Sequence, residues 1–402
     1  MVSTHRQFFS FRISILILLT AAATAQTETV LHSFVGKRDG GYPASRPVLD
    51  PQGNLYGITS GGRNTEAGYG TVYKVGPGGR ETVLHNFTGG ADGATPTGAL
   101  IRDAQGNLYG TTGSGGSLGG DCVAAHGCGT VFEVSPTGTE TVLYAFPSIN
   151  PGFPTGPLAR DASGNLYGSA SNIDFGVIFK LTAAGALTEV HNFTGKDGWG
   201  GYGGLNMDGQ GNLYGTSVVG GSSSCGFGCG VIYELSATNE FHLLYSFSGS
   251  DGYEPIGELV RDSEGNLYGM TIFGGSNPSC TDELGCGTVF EVTSDGTERV
   301  LYSFSGGADG DNPQDGLVRD KEGNLYGTTF TGGKGNCSSG LGCGVVFKLS
   351  PEGTENVLYS FSGGADGGNP QSGLALDAQG NLYGTTLYYG ANGYGTVFRV
   401  TP

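Results

Sequence analysis

The pentapeptide Gly-Asn-Leu-Tyr-Gly begins at Gly53, Gly106, Gly164, Gly211, Gly265, Gly323 and Gly380, so its copies follow one another at intervals of 53, 58, 47, 54, 58 and 57 residues. A period of this size repeated from end to end specifies one supersecondary unit per repeat, packed against its neighbours. The 402 residues therefore read as one closed domain, with no linker between units. The 79 glycines fit this reading because they recur at set places between apolar runs, as turn residues do.

Within one repeat, Asn312 to Phe361, four short apolar runs alternate with turn chemistry: Gly316 to Arg319, Asn324 to Thr328, Gly344 to Leu349 and Glu355 to Phe361. These are four strands, A to D from the inside outwards, and seven such units predict an all-β, seven-bladed β-propeller of four-stranded blades. The A to B turn reads Asp-x-x-Gly-Asn in every copy, at Asp50, Asp103, Asp161, Asp208, Asp262, Asp320 and Asp377. Asp opens such a turn by accepting backbone amides, and Gly closes it in the left-handed conformation. Seven identically placed carboxylates are copied round a ring rather than gathered at a point, which argues for architecture.

The phase of the repeat carries a further expectation. The chain after residue 25 opens with a lone D strand, Val30 to Phe34, and ends with a lone C strand, Gly395 to Val400. The seventh blade is thus expected to be closed by the N-terminal strand, which hides two sheet edges. D strands carry Tyr144, Tyr245, Tyr302 and Tyr359 where other copies carry His32, His85 and His191, so these histidines read as aromatic substitutes rather than bases.

Residues 1–25 differ from all that follows. Arg6 and Arg12 precede the apolar stretch Ile13 to Leu19 and an Ala23-Thr24-Ala25 site, the pattern of a signal peptide cleaved before Gln26. The stretch is short of the roughly 20 residues needed to span a bilayer, so no membrane span is expected after cleavage, and residues 26–402 form the single propeller domain. The eight cysteines fall in pairs within single B to C loops: Cys122 and Cys128, Cys225 and Cys229, Cys280 and Cys286, Cys337 and Cys343. Disulfides, an oxidising compartment and a secreted or periplasmic location follow, with a zinc site as the weaker competitor. The formal charge of −17, or −19 without the leader's two arginines, excludes nucleic acid as a partner.

Variation concentrates on the face that bears the D to A and B to C loops. The D to A loops hold Asp39, Asp92, Asp197, Asp251, Asp309 and Asp366, whereas the third blade has Ile149-Asn150-Pro151 instead. An Asp-Gly pair is first a turn; ligand or calcium binding is the alternative, and one Asp per loop is few for calcium. The blade-four loop, Asp197 to Tyr202, carries the one tryptophan, Trp199, beside Tyr202. Together with Asp92, Asp197, Asp251, Asp309 and Asp366 these two aromatics are the candidate ligand-binding residues, and Trp199 as a plug between blades is the competing reading.

The repeat VLYSF, GGADGxxP, GLxxDxxGNLYGTT, a Gly-rich loop and GTVF resembles the GloVer (Gloeo/Verruco) tandem repeat of secreted bacterial proteins. That resemblance implies an extracellular protein with no established activity; some members bear a C-terminal sorting anchor, whereas this sequence ends at Thr401-Pro402 without an apolar tail, so release is expected. Neither an HExxH pair nor a phosphate loop is present. The expected function is a non-enzymatic, monomeric binding or scaffold module for a glycan, a peptide or an envelope protein, without catalytic residues or a cofactor. A hydrolase or lyase with a channel metal, and a purely structural envelope component, are the alternatives.

Overall fold

The computed structural model describes residues 26–61, 68–117, 119–123, 126–171, 174–200, 203–221, 225–280 and 284–402. The leader assigned to residues 1–25 and the candidate Tyr202 lie outside the described residues.

Seven four-stranded antiparallel sheets make up the fold, and in six of them the strands run in chain order from inside to outside. Blade six consists of Val318–Arg319, Leu325–Thr329, Val345–Leu349 and Glu355–Ser360. The seventh sheet joins Ala375–Leu376, Leu382–Thr386 and Thr396–Thr401 to the N-terminal strand Thr27–Ser33. Thr27 stands opposite Thr401 and Ser33 opposite Thr396, so the ring closes by the expected route with a strand three residues longer at its start.

The repeat motif folds as it does because its polar residues satisfy one another. In blade one, Asp50 Oδ1 accepts the N–H groups of Gln52 and Asn54, while Oδ2 accepts Asn54 Nδ2 and the Tyr56 hydroxyl at 3.0 Å. The Asp, Asn and Tyr of the motif are therefore one network, repeated in every blade through Tyr109, Tyr167, Tyr214, Tyr268, Tyr326 and Tyr383. Burial pushes the Asp50 carboxyl up, but these donors outweigh it and hold the group below its ordinary range.

Packing between blades is aromatic. The Phe after each D strand is buried and meets, edge to face, the C-strand ring of the next blade: Phe87 on Phe132, Phe247 on Phe290, Phe361 on Phe398 and, across the closing seam, Phe34 on Tyr73. The motif tyrosines are covered in turn by arginines from the next blade, Arg102 over Tyr56, Arg160 over Tyr109, Arg261 over Tyr214 and Arg319 over Tyr268.

Candidate functional site

The D to A aspartates are engaged within their own loops. Asp309 Oδ2 accepts the Ser305 amide at 2.8 Å and the Tyr302 hydroxyl at 2.9 Å. Asp251 takes Tyr245 and Ser248, Asp366 takes Tyr359 and Ser362, and Asp92 and Asp197 take Thr88 and Thr194 together with His85 and His191. His32 faces Asp39 at 3.5 Å. Histidine and tyrosine thus fill one slot, and all but Tyr144, whose following loop lacks the residue, are aimed at the aspartate of that loop. For His85 and His191 burial lowers the pKa further than the facing aspartate restores it.

The residue six positions before the Phe that follows each D strand lies over this slot in the preceding blade. In blade four it is Phe241, whose ring stacks on His191 with centroids 3.9 Å apart. Five blades place a glutamate there, Glu28, Glu81, Glu140, Glu298 and Glu355, and each has one buried carboxyl oxygen without a partner. Burial pushes all five carboxyls up to about 7, aided by the charges of Asp366, Asp39, Asp92, Asp251 and Asp309 respectively.

Four disulfides join the cysteines as paired above, one in each of four B to C loops. Their second cysteine stands immediately before the glycine that opens strand C, where the other three blades carry Tyr69, Phe175 and Tyr394. The D to A loop glycines abut the ring in one kind of blade and the sulfur in the other, as with Gly89 on Tyr69 and Gly306 on Cys286. A bridge and an aromatic ring are interchangeable fillers under the same loop.

Trp199 is half-buried. Its backbone N–H donates to Val219 O and Ser217 Oγ, and its indole lies edge-on to Phe175 and Phe227 at 5.4 and 6.2 Å. Phe227 itself is 80% exposed. Among the described residues, seven of the eight exposed large apolar side chains, Val35, Tyr69, Val123, Phe227, Leu284, Leu341 and Tyr388, belong to loops of this one face. The eighth, Leu243, is on an outer strand.

Sequence reasoning considered a channel metal but singled out no channel residue. A cavity of about 300 Å³ lies among the inner strands, and Arg46 separates it from a second space lined by Leu49, Leu100, Val260, Leu317 and Leu374 nearer the A to B turns. Arg46 Nη2 reaches Glu258 Oε2 at 2.7 Å across blades one and five, 212 residues apart. Both occupy the position four residues before the turn aspartate, where the other blades have Ala99, Pro157, Gly204, Gly316 and Gly373. Asp315, one position earlier in blade six, accepts the Gly316 and Gly373 amides at 2.7 Å each. Burial raises the pKa of Glu258 and of Asp315; Arg46 opposes both shifts and is itself held protonated by Glu258. The signal was present as departures from small residues at two copied positions, visible once the seven A strands are aligned.

As a metal centre the channel fits poorly. One carboxylate is paired with an arginine, the other has both oxygens on backbone amides, and among the described residues no group of three or more His, Cys, Asp or Glu is placed to hold a metal ion.

The model of the Gloeobacter/Verrucomicrobia repeat matches residues 17–228, 122–337 and 278–402. The chain belongs to the Gloeobacter/Verrucomicrobia repeat family. The resemblance read from VLYSF, GNLYG and GTVF is thereby established for the whole propeller. No curated protein matches this Gloeobacter/Verrucomicrobia repeat protein. Among solved structures it is similar to virginiamycin B lyase from Staphylococcus aureus, at 12% identity over 94% of this chain and 99% of the lyase, with a TM-score of 0.60. It is also similar to the extracellular domain of a protein assigned to the hybrid two-component systems of B. thetaiotaomicron, at 13% identity and a TM-score of 0.57 over 94% of this chain and 41% of that one. At these identities the likeness is one of fold. The four disulfides of the Gloeobacter/Verrucomicrobia repeat protein belong to an oxidising compartment, extracellular or periplasmic.

Proposed function

We propose that this chain is a secreted, non-enzymatic binding module that takes a protein partner on its loop-bearing face. The observation that carries the reading is the confinement of seven exposed apolar side chains to that face, while the opposite face is built from short polar turns. Apolar groups gathered on one surface favour association by removing that surface from water. Four of the seven are aliphatic: Val35, Val123, Leu284 and Leu341. Sugar rings stack on aromatic faces, so the aliphatic members favour a peptide or protein surface over a glycan. The net charge of −17 favours a partner whose rim is basic.

A display library of random peptides panned against the full chain, run beside a glycan array, tests this. Enrichment of apolar peptides with basic flanks, lost with Phe227→Ser and Leu341→Ser at unchanged thermal midpoint, supports the proposal. Glycan binding alone, or peptide binding indifferent to both substitutions, sinks it.

A further inference from the structure

We propose that the channel cavity is a binding site for a small zwitterion of the α-amino acid class, separate from the loop face and independent of it.

The cavity exists because most blades withdraw from it. At the position of Arg46 and Glu258 the other five blades have glycine, alanine or proline. Any Cβ on Gly204 or Gly316 would collide with Glu258 itself, so the two blades flanking blade five are cut back to admit its strand. Into that space the chain places one cation and two carboxylates, which is unlike an apolar plug. An ion pair inside a protein recovers little more than the cost of its own desolvation, and well-packed apolar residues in its place are often neutral or stabilising. Stability alone therefore gives no reason to place Arg46 and Glu258 here.

A ligand gives one. Their side chains remain 30% and 15% exposed, so water and small solutes reach them. A molecule bearing a carboxylate and an ammonium on one carbon presents both charges within the span of the existing pair. Its carboxylate takes the planar fork of Arg46, which suits bidentate recognition. Its ammonium has three N–H donors and takes Glu258 and Asp315, the two carboxylates that line the same cavity. Each charge that leaves the internal pair is replaced by one from the ligand, so no charge is left uncompensated. The site's formal charge of one plus and two minus favours the ammonium end, and a zwitterion of zero net charge adds no charge to it.

An independent observation marks the same place as unfilled. Ser45, next to Arg46, is 2% exposed and lines the cavity, and its hydroxyl has no hydrogen-bond partner. A buried hydroxyl left unpaired is costly, and a ligand acceptor or donor beside it would satisfy it. A volume near 300 Å³ admits an amino acid and excludes an oligosaccharide or a folded peptide.

The test is titration calorimetry and thermal-shift measurement on the full chain with the twenty L-α-amino acids, alongside propylamine and propionate as single-charge controls of similar size. At least one amino acid is expected to bind while both controls fail. Asp315→Asn and the paired replacement Arg46→Met with Glu258→Met, which leaves neither charge alone, are each expected to weaken that binding by about tenfold or more. Absence of amino-acid binding, equal binding of a control, or binding unaffected by the paired replacement overturns the proposal. Phe227→Ser leaves this titration unchanged, so the loop-face reading and the channel reading fail separately.

Discussion

Phe34 meets Tyr73 edge to face with ring centroids 5.1 Å apart, and this contact joins the last blade to the first. Both rings are fully buried, and Phe34 sits just past the strand that pairs with Thr396–Thr401. Phe34→Ala is expected to destabilise the propeller by about 3–5 kcal/mol, the range for a large aromatic removed from a core. Urea unfolding followed by tyrosine fluorescence measures it. Loss as small as that of a surface substitution would show that the seam does not hold the ring.

The five blade-edge glutamates make stability depend on pH in an unusual direction. Their folded pKa is about 7 against an ordinary 4.5, so between those values the folded chain holds more protons than the unfolded one. Stability then falls as pH rises through that window. His85 and His191 act oppositely below 6.5, but they are two against five. The thermal midpoint is expected to be higher at pH 5 than at pH 8, and glutamine at positions 28, 81, 140, 298 and 355 is expected to flatten the curve. Scanning calorimetry across this range decides it; a midpoint that rises toward pH 8 contradicts the assignment.

Replacing a turn aspartate removes the acceptor of four donors at once. Asp103→Ala strands the Gln105 and Asn107 amides, the Asn107 side chain and the Tyr109 hydroxyl. A loss of about 1–3 kcal/mol is expected, since stranded donors lie partly out of water. The comparison is with Asp295→Ala in an exposed C to D turn, which should cost less in the same chemical-denaturation assay.

The equivalence of ring and bridge beneath the D to A loops is testable by exchange. Cys280→Ala with Cys286→Ala is expected to lower the thermal midpoint, and Cys280→Ala with Cys286→Tyr to recover part of that loss, because tyrosine occupies the same position in blades one and seven. Equal midpoints for the two variants would mean that the bridge acts through chain restraint rather than by filling space.

What could be read from the residues was whatever is copied. GNLYG counted the blades, the phase of the D and C strands gave the closure, and the shared slot of Tyr302 and His85 identified those histidines as architecture before any distance was known. Tyr268 and Asp262 were each visible, but their hydrogen bond was not, because six residues of turn must fold to bring them together. The channel residues were legible only as departures from small residues at copied positions, and their meeting was not. Arg46 and Glu258 lie 212 residues apart in blades one and five, so the ring has to form before they become neighbours. Glu298 was overlooked likewise: its burial is imposed by another blade.

The pairing of Thr27 with Thr401 makes the propeller a loop that locks only when its two ends meet. Until the final strand emerges, the earliest residues of the domain have no partner, and every intermediate in synthesis or export carries an open edge able to pair with another chain. Contacts of such long sequence separation are slow to form. For a protein of this kind the vulnerable period is the one before completion, and a chaperone that shields one strand would guard the whole ring.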